Sequence, residues 1–444
     1  MDSRETIVAI ATPPGQGGIG IVRLSGPEVD SIAHTALSAR PDPGRARYCS
    51  FLDRDASPID NGIALLFAAP HSYTGEDVLE FQGHGSPVTL SLIVRRCLQL
   101  GARPAEPGEF SKRAFLNGRM DLAQAEAVAD LINSHTESAA RSAMRSLKGE
   151  LSRDIGKLAD AVAELRVLIE ASIDFPEEEI DFLTELGALE RVQQLGRQFD
   201  RIQARMQQGR LLRDGLKVVL TGLPNAGKSS LLNALGREDR AIVSDIPGTT
   251  RDTLEQIIDL DGIPMEIVDT AGIRDTLDAI EAEGVRRARL AQEEADMVLL
   301  VVDDAATGQK EIERMIVAHR HLPTLLVRNK IDISRRQQSD DPSEVCISAL
   351  TGQGIDLLKE RLKSAVGYTE KQESPLMARQ RHIDALGRAR EFLDSGIEQM
   401  RDHRAGELLA EDMAACHRAL GEITGAVSSD ELLGMIFSSF CIGK

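Results

Sequence analysis

The chain has 444 residues, with 52 Lys and Arg against 70 Asp and Glu, a net charge of −18, no Trp, 3 Tyr and 11 Phe. That length predicts two or three domains, each able to bury its own core. An acidic chain poor in aromatics argues against a dedicated nucleic-acid binder, because both the electrostatic footprint and the stacking platforms are thin. Cys49, Cys97, Cys346, Cys416 and Cys441 are scattered without a C-x-x-C pair, so neither a zinc site nor a disulfide framework is expected. No signal peptide precedes Ile7 and no apolar run approaches a membrane span, which predicts a cytoplasmic protein without a membrane anchor.

In chain order, residues 1 to about 118 read as mixed α/β. Ile7 to Ala11 and Ile19 to Leu24 are strand candidates, separated by a loop, Thr12 to Gly18, too rich in Gly and Pro for regular structure. Ile63 to Phe67 and Val78 to Phe81 read as strands and Val88 to Leu100 as a helix. From Arg119 to Phe175 there is no proline, and apolar residues recur at helical spacing through Leu122, Val128, Leu131 and Ile132, then Leu158, Val162, Leu165 and Leu168. Glu190 to Arg213 continues that pattern, and Leu376 to Lys444 resumes it. The segment between them therefore reads as a globular insertion into one helical domain, with breaks expected at Pro176 to Glu179 and Glu373 to Pro375.

The insertion carries guanine-nucleotide elements in order. Gly222-Leu223-Pro224-Asn225-Ala226-Gly227-Lys228-Ser229 is a full G-x-x-x-x-G-K-S between the apolar run Leu216 to Leu220 and a helix-like stretch opening at Ser230. Such a loop turns backbone N–H groups onto phosphates, with Lys228 for charge and Ser229 as a hydroxyl ligand for Mg²⁺. Asp269-Thr270-Ala271-Gly272 closes a second apolar strand, where an Asp can reach Mg²⁺ and a Gly N–H the γ-phosphate. Between them, Ser244-Asp245-Ile246-Pro247-Gly248-Thr249-Thr250 offers a Thr to the metal. Asn329-Lys330-Ile331-Asp332 follows the run Thr324 to Val327, and its Asp can accept from the N1–H and 2-amino groups of guanine. Ser348-Ala349-Leu350 would offer a backbone N–H to the guanine carbonyl. Asp332 disfavours an ATPase, and the set identifies a GTPase domain.

Hydrolysis needs a water-orienting group, yet Ile273 stands where a Gln often follows Asp-x-x-Gly. Asn225 could coordinate a monovalent cation beside the phosphates, in place of an arginine finger worth roughly 10³–10⁵ in rate, or it could simply cap a turn. Glu281 could position the attacking water, or be a solvated helix charge. Arg141, Arg145 and Lys148 share a helical face and read as a solvated basic face rather than a phosphate site; Arg379, Arg381 and His382 read the same way. His71, His84, His135 and His417 show no ligand spacing. Cys441 is either a passenger or, with Gly443-Lys444, part of a tail that delivers a thiol and an ammonium into a site.

Taken over its whole length, the chain resembles the MnmE (TrmE) family of tRNA uridine-modification GTPases. The resemblance rests on Asp2 to Gly26 with Ala11-Thr12-Pro13-Pro14-Gly15, on Tyr73-Thr74-Gly75-Glu76-Asp77, on Gln82-Gly83-His84-Gly85, on Asn117 to Ala127, on the GTPase set with Gly248-Thr249-Thr250-Arg251-Asp252, and on Cys441-Ile442-Gly443-Lys444. It implies three parts: an N-terminal α/β domain over 1–118 that dimerises and binds 5-formyltetrahydrofolate or a related tetrahydrofolate; a central helical domain in two halves, 119–213 and 372–444; and an inserted P-loop, Ras-like G domain over 214–371. It implies a folate site of Arg23, Glu80, Arg119 and Lys444, with Arg119 standing where the family usually has Lys. A carboxylate suits the amino-pyrimidinone edge of a pterin, and cations suit the glutamate tail.

The resemblance further implies a nucleotide site running through Asn225, Ala226, Gly227, Lys228, Ser229 and Ser230, then Ser244 to Thr250, Asp269 to Gly272, and the guanine-reading loops. Mg²⁺ would sit on Ser229 and Thr250, and K⁺ on Asn225, Ser244, Ile246 and Thr249. Glu281 would be the water-positioning glutamate and Cys441 a residue needed for modification. The implied assembly is a homodimer that joins a FAD-dependent partner, MnmG, in a heterotetramer acting on C5 of the wobble uridine of certain tRNAs. FAD enters only through that partner, which can also supply much of the tRNA-binding surface. A regulatory switch GTPase without group transfer, for example in ribosome assembly, is the alternative.

Overall fold

The computed structural model describes residues 5–174, 188–238, 255–269, 295–368, 374–403 and 406–443. They divide into two compact units: Met1–Ala129, Leu147–Leu195 and Ala385–Lys444 form one, and Asp130–Ser146 and Gly196–Asp384 the other. Among the described residues no helix is long and apolar enough to cross a membrane.

The first unit is built on a six-stranded sheet of β1 (Ile7–Ile10), β2 (Gly17–Ser25), β3 (Arg47–Leu52), β4 (Pro58–Phe67), β5 (Val78–Gly85) and β6 (Arg103–Pro104), in the order β3-β4-β5-β2-β1-β6. Neighbours are antiparallel except β1 and β6. Alternation places Val22 and Leu24 in the core and Arg23 on the opposite face. The helices Val29–Ala36 and Pro87–Gln99 supply Ile32, Ala33, Leu90 and Ile93 to that core, where Phe51 and Phe81 meet edge to face. The second strand begins at Gly17, inside the stretch expected to be irregular: Gly17 pairs with Gly85 and Gly20 with Gly83, with a register shift between, so glycine here permits close strand approach. The proline-free segments form the helices Leu122–Ile132, Glu137–Leu147 and Glu150–Asp174, and later Gln380–His403, Gly406–Thr424 and Asp430–Ser438. Glu150–Asp174 packs along Gly406–Thr424.

The second unit contains the sheet of β7 (Leu216–Thr221), β8 (Glu255–Leu260), β9 (Ile263–Asp269), β10 (Met297–Asp303), β11 (Thr324–Asn329) and β12 (Glu344–Cys346), in the order β12-β11-β10-β7-β9-β8. Only β8 runs antiparallel to its neighbour. The continuous apolar run Met297 to Val302 is fully buried, as a central parallel strand requires. Segments of the helical pattern belong to this unit. Ala139, Ala143, Leu212 and Met377 lie in the sheet's own core. The Thr136 hydroxyl donates to the Gly262 carbonyl in the β8–β9 turn at 2.7 Å and also accepts from the Ala139 N–H. Asp130 accepts from Arg213 at 3.1 Å and from Arg379 at 2.9 Å, and Arg145 donates to the Pro375 carbonyl. Those partners, with Arg141 on Glu137, account for much of the basic character of these segments within the fold.

An acid-sensitive tie lies in the first unit. Glu109 opens the helix Glu109–Leu116, accepts from the Glu106 N–H, and bonds Arg103 and Arg113; Arg113 also reaches Glu76. Burial opposes the Glu109 charge, but the two guanidinium groups outweigh it and hold the carboxyl at about 2 instead of 4.5. The charge therefore stabilises the fold fully above about pH 4.5, and that contribution is lost as pH falls towards about 2. For this side chain, 9% exposed, the shift corresponds to roughly 3 kcal/mol. Glu109→Gln is expected to lower stability by about that amount near neutral pH and to flatten the acid limb of a thermal-denaturation series followed by circular dichroism; an unchanged acid limb would refute the assignment.

Candidate functional site

Five parallel strands bring the nucleotide motifs to one edge of the second sheet, because loops leaving the carboxyl ends of neighbouring parallel strands must meet there. Leu220 of β7 stands opposite Asp269 of β9, Thr221 opposite Leu300 of β10, and Asp303 of β10 opposite Asn329 of β11. The phosphate loop leaves β7 and feeds the helix Lys228–Glu238. Asn225 takes a left-handed backbone at φ +64° on the exposed crest. Ser229 and Ser230 are exposed, so their hydroxyls are presented outward at a helix N-terminus. Lys228 is buried, its ammonium donating to the Gly222 and Leu223 carbonyls at 2.7 and 2.9 Å. Gly227 lies against the Asn329 amide, where any Cβ would collide. This cradle fits a phosphate chain: backbone donors, one fixed ammonium and two hydroxyls share one concave turn.

The base-reading side is fastened to the same loop through Asn329. Its buried amide nitrogen donates to the Ala226 carbonyl at 2.9 Å, and its oxygen accepts from the N–H groups of Lys330 at 2.8 Å and Ala349 at 3.0 Å. Ala349 thus gives its N–H to Asn329, and Leu350 stands 85% exposed at the rim. Asp332 is exposed, with one carboxylate oxygen accepting from the Ser348 hydroxyl at 2.7 Å. That bond sets the carboxylate plane and leaves further lone pairs for two donors on one edge of a base. Lys330 extends to Asp303 at 2.7 Å, and its hydrogen bond is the first cause that holds the Asp303 carboxyl below the usual range. Asp303, absent from the sequence reading, had one available signal, an acid closing an apolar strand run.

A second polar cluster lies on β2 and β5 of the first unit. Arg23 and Glu80 are direct cross-strand partners, with Nε and Nη2 of Arg23 each 2.9 Å from Oε1 of Glu80. Gln82 donates to the other Glu80 oxygen at 3.0 Å. The Arg23 guanidinium is 5.7 Å from the Tyr73 ring centroid and 5.9 Å from that of Phe110. Tyr73 bonds the Ser111 hydroxyl at 2.8 Å; burial pushes its phenol up, against the opposing pull of that bond and of Arg23. Arg119 is exposed, its stem beside the Tyr73–Gly75 turn. Gln82, Tyr73 and Phe110 were not read as site residues. Gln82 shares a strand face with Glu80 at i+2, whereas the aromatic pair converges only through the fold. A carboxylate fixed by Arg and Gln beside aromatic rings fits a flat heterocycle with adjacent N–H donors.

Cys441 is exposed, and the other four cysteines are buried, Cys97 and Cys416 being pushed up to about 12 by burial. Gly443 donates no side chain, but its carbonyl accepts from Arg23 at 3.4 Å, so the tail and the Arg23–Glu80 pair are neighbours. Ser244 to Thr250, Thr270 to Gly272, Glu281 and Lys444 lie outside the described residues, and for Asp269 only the strand position is described.

Since Asn329 joins three loops, Asn329→Ala strands the Ala226 carbonyl and the Ala349 N–H together. Affinity for GDP and GTP should fall alike, by roughly 10- to 100-fold, as read by titration with a fluorescent guanine nucleotide. A loss confined to GTP would show that Asn329 acts through the γ-phosphate and not through loop architecture.

Two family profiles tile the chain: one described as the GTP-binding protein TrmE N-terminus matches residues 6–119, and one described as the MnmE helical domain matches residues 122–441. The tRNA modification GTPase MnmE of Chromohalobacter salexigens is 53% identical over 450 residues, covering 99% of this chain and 98% of that protein. Its namesake from Nitrosomonas europaea is 51% identical over 454 residues, covering 100% of each, and that from Hydrogenovibrio crunogenus 49% over 447 residues, covering 100% and 99%. The phosphate loop, the guanine-reading loops and this full-length similarity together establish that the chain belongs to the MnmE (TrmE) family of tRNA modification GTPases.

Proposed function

We propose that the chain is a homodimeric, K⁺-activated GTPase of the cytoplasm that works with a FAD-dependent MnmG partner, in a heterotetramer, to modify C5 of the wobble uridine of certain tRNAs with a one-carbon unit from a formyltetrahydrofolate. One observation supports this reading above others: a single chain holds both a phosphate loop tied to guanine-reading loops and, in its other unit, an Arg23–Glu80 pair beside the tail that carries Cys441. A switch GTPase needs only the first. The domain limits proposed with it are 1–118 for the folate-binding and dimerising part, 119–213 with 372–444 for the helical part, and 214–371 for the G domain.

In the nucleotide site, Lys228 would exchange its carbonyl partners for β- and γ-phosphate oxygens, and Asp332, braced by Ser348, would read guanine. Ser229 and Thr250 would hold Mg²⁺, which supplies charge neutralisation at the phosphates. Asn225, already turned outward on its crest, would join Ser244, Ile246 and Thr249 around K⁺. Glu281 would position the attacking water that Ile273 cannot hold. In the folate site, Glu80 would accept from the amino-pyrimidinone edge while Arg23, Arg119 and Lys444 meet carbonyl and carboxylate oxygens.

GTP turnover of the purified protein in KCl and in NaCl at equal ionic strength, with Asn225→Ala alongside, tests the mechanism. A K⁺-specific stimulation of about tenfold or more, lost in the variant, is expected because the cation replaces an arginine finger. Equal rates in the two salts would return the chain to the switch-GTPase reading.

A further inference from the structure

Residues 437–443 are seated on the fold at two points. At the first, Phe437 and Phe440 are buried, their ring centroids 5.4 Å apart, in a cluster with Leu122 and Ala125. Gly108 lies directly beneath that turn in the left-handed region at φ +64°; a Cβ there would stand 2.6 Å from the Phe437 carbonyl oxygen and 3.0 Å from Phe440 Cβ. The Gly108 N–H donates to the Cys441 carbonyl at 3.4 Å. At the second point, Gly443 is buried at φ +98°, and a Cβ would stand 2.5 Å from the Ile10 carbonyl oxygen and 3.1 Å from Ala11 Cα. Its carbonyl is the one that accepts from Arg23. Between the two points the Cys441 side chain faces solvent.

We propose that Gly108 and Gly443 are positioning residues, a pair of backbone seats that fix the tail carrying Cys441 against Arg23 of the Arg23–Glu80 pair and hold Arg23 for the ligand read there. Both tail hydrogen bonds are long, at 3.4 Å, so they contribute little direction by themselves. Close backbone packing must then offset the entropy of ordering a chain end, and that packing exists only where neither seat carries a Cβ. Gly443 also couples the seats to chemistry. Nη1 of Arg23 is on the tail while Nε and Nη2 are on Glu80, so one guanidinium is shared between the thiol-bearing segment and the carboxylate. The tail is thus not the freely delivering arm that Gly443-Lys444 suggests from sequence. It is a docked segment with its one reactive side chain left outward. The nature of the ligand rests on the folate reading above; the seat rests on this chain's geometry alone.

The test uses the full chain. A methanethiosulfonate nitroxide will react selectively at Cys441, because the other four thiols are buried. Its electron paramagnetic resonance spectrum reports tail mobility, and 5-formyltetrahydrofolate titration of unlabelled protein reports the site. Gly443→Ala and, separately, Gly108→Ala are expected to convert a restricted spectrum into one with a fast component and to weaken 5-formyltetrahydrofolate binding by about tenfold. GTP turnover, which uses neither glycine, should stay at the parent rate and so certify folding. Spectra superimposable on the parent in both variants would overturn the seat. A mobilised label with unchanged 5-formyltetrahydrofolate affinity would overturn its link to Arg23. Failure of the parent protein to bind 5-formyltetrahydrofolate, with the label still mobilised in the variants, would sink the folate reading and leave the seat standing.

Discussion

The side-chain amide of Asn329 is the constraint on which the nucleotide edge depends. Three loops converge on it: the phosphate loop, 103 residues away in sequence, through the Ala226 carbonyl, the strand-end turn through the Lys330 N–H, and the following loop through the Ala349 N–H. Each partner is a backbone group that would otherwise be left without a bond at the edge of a buried core, and such groups are costly to strand. One planar amide with a donor and a two-lone-pair acceptor satisfies all three, which neither Asp nor Gln does at this reach. Because the same residue abuts Gly227, it fixes the phosphate loop against the turn that follows β11.

The opposite end of that sheet is held by residues that look helical in the sequence. Thr136 bonds the β8–β9 turn, Lys363 pairs with Asp261 beside it, and Asp130 collects Arg213 and Arg379. The strand β9 therefore has one end at Asp269, among the nucleotide loops, and its other end against a helical collar. Within the collar, Arg213 and Arg379 offset the buried Asp130 carboxylate and Arg145 meets the Pro375 carbonyl.

Much of this was legible in the sequence, and the limits have physical causes. Glycine and lysine at fixed spacing after an apolar run force a phosphate loop, so Gly222 to Ser229 could be read directly; the strand, turn and helix are where that pattern requires them. The long amphipathic runs mark helices, whereas a break such as Asn133 to Thr136 carries only the weak signal of Asn, Ser and Thr without Pro or Gly. The strand Arg47–Leu52 gives only a short signal, because its alternation is carried by Cys49 and Phe51 between polar residues beside Gly- and Pro-rich text. Gly17 reads as a breaker until its partner, Gly85, is known, since close approach of two glycine backbones is a property of the pair. The cluster at Arg23 needed a cross-strand register, and no local spacing reveals that Tyr73 and Phe110 flank it.

The two polar clusters differ in what their groups are bonded to. Around Asn329 and Ser348 the polar groups are bonded within the loops, Asn329 to Ala226, Lys330 and Ala349, and Ser348 to Asp332. At Arg23 the polar groups are bonded to each other: Glu80 is occupied by Arg23 and Gln82, and Arg23 by Glu80 and the tail. On the proposed reading, a heterocycle entering there would gain only what exceeds those bonds, which would favour a ligand bearing several adjacent N–H donors over a lone amine or a bare carboxylate. On that reading, selectivity at the first site would come from preorganised loops. At the second it would come from competition with a satisfied ion pair, and the tail would enter that competition because it holds the same guanidinium.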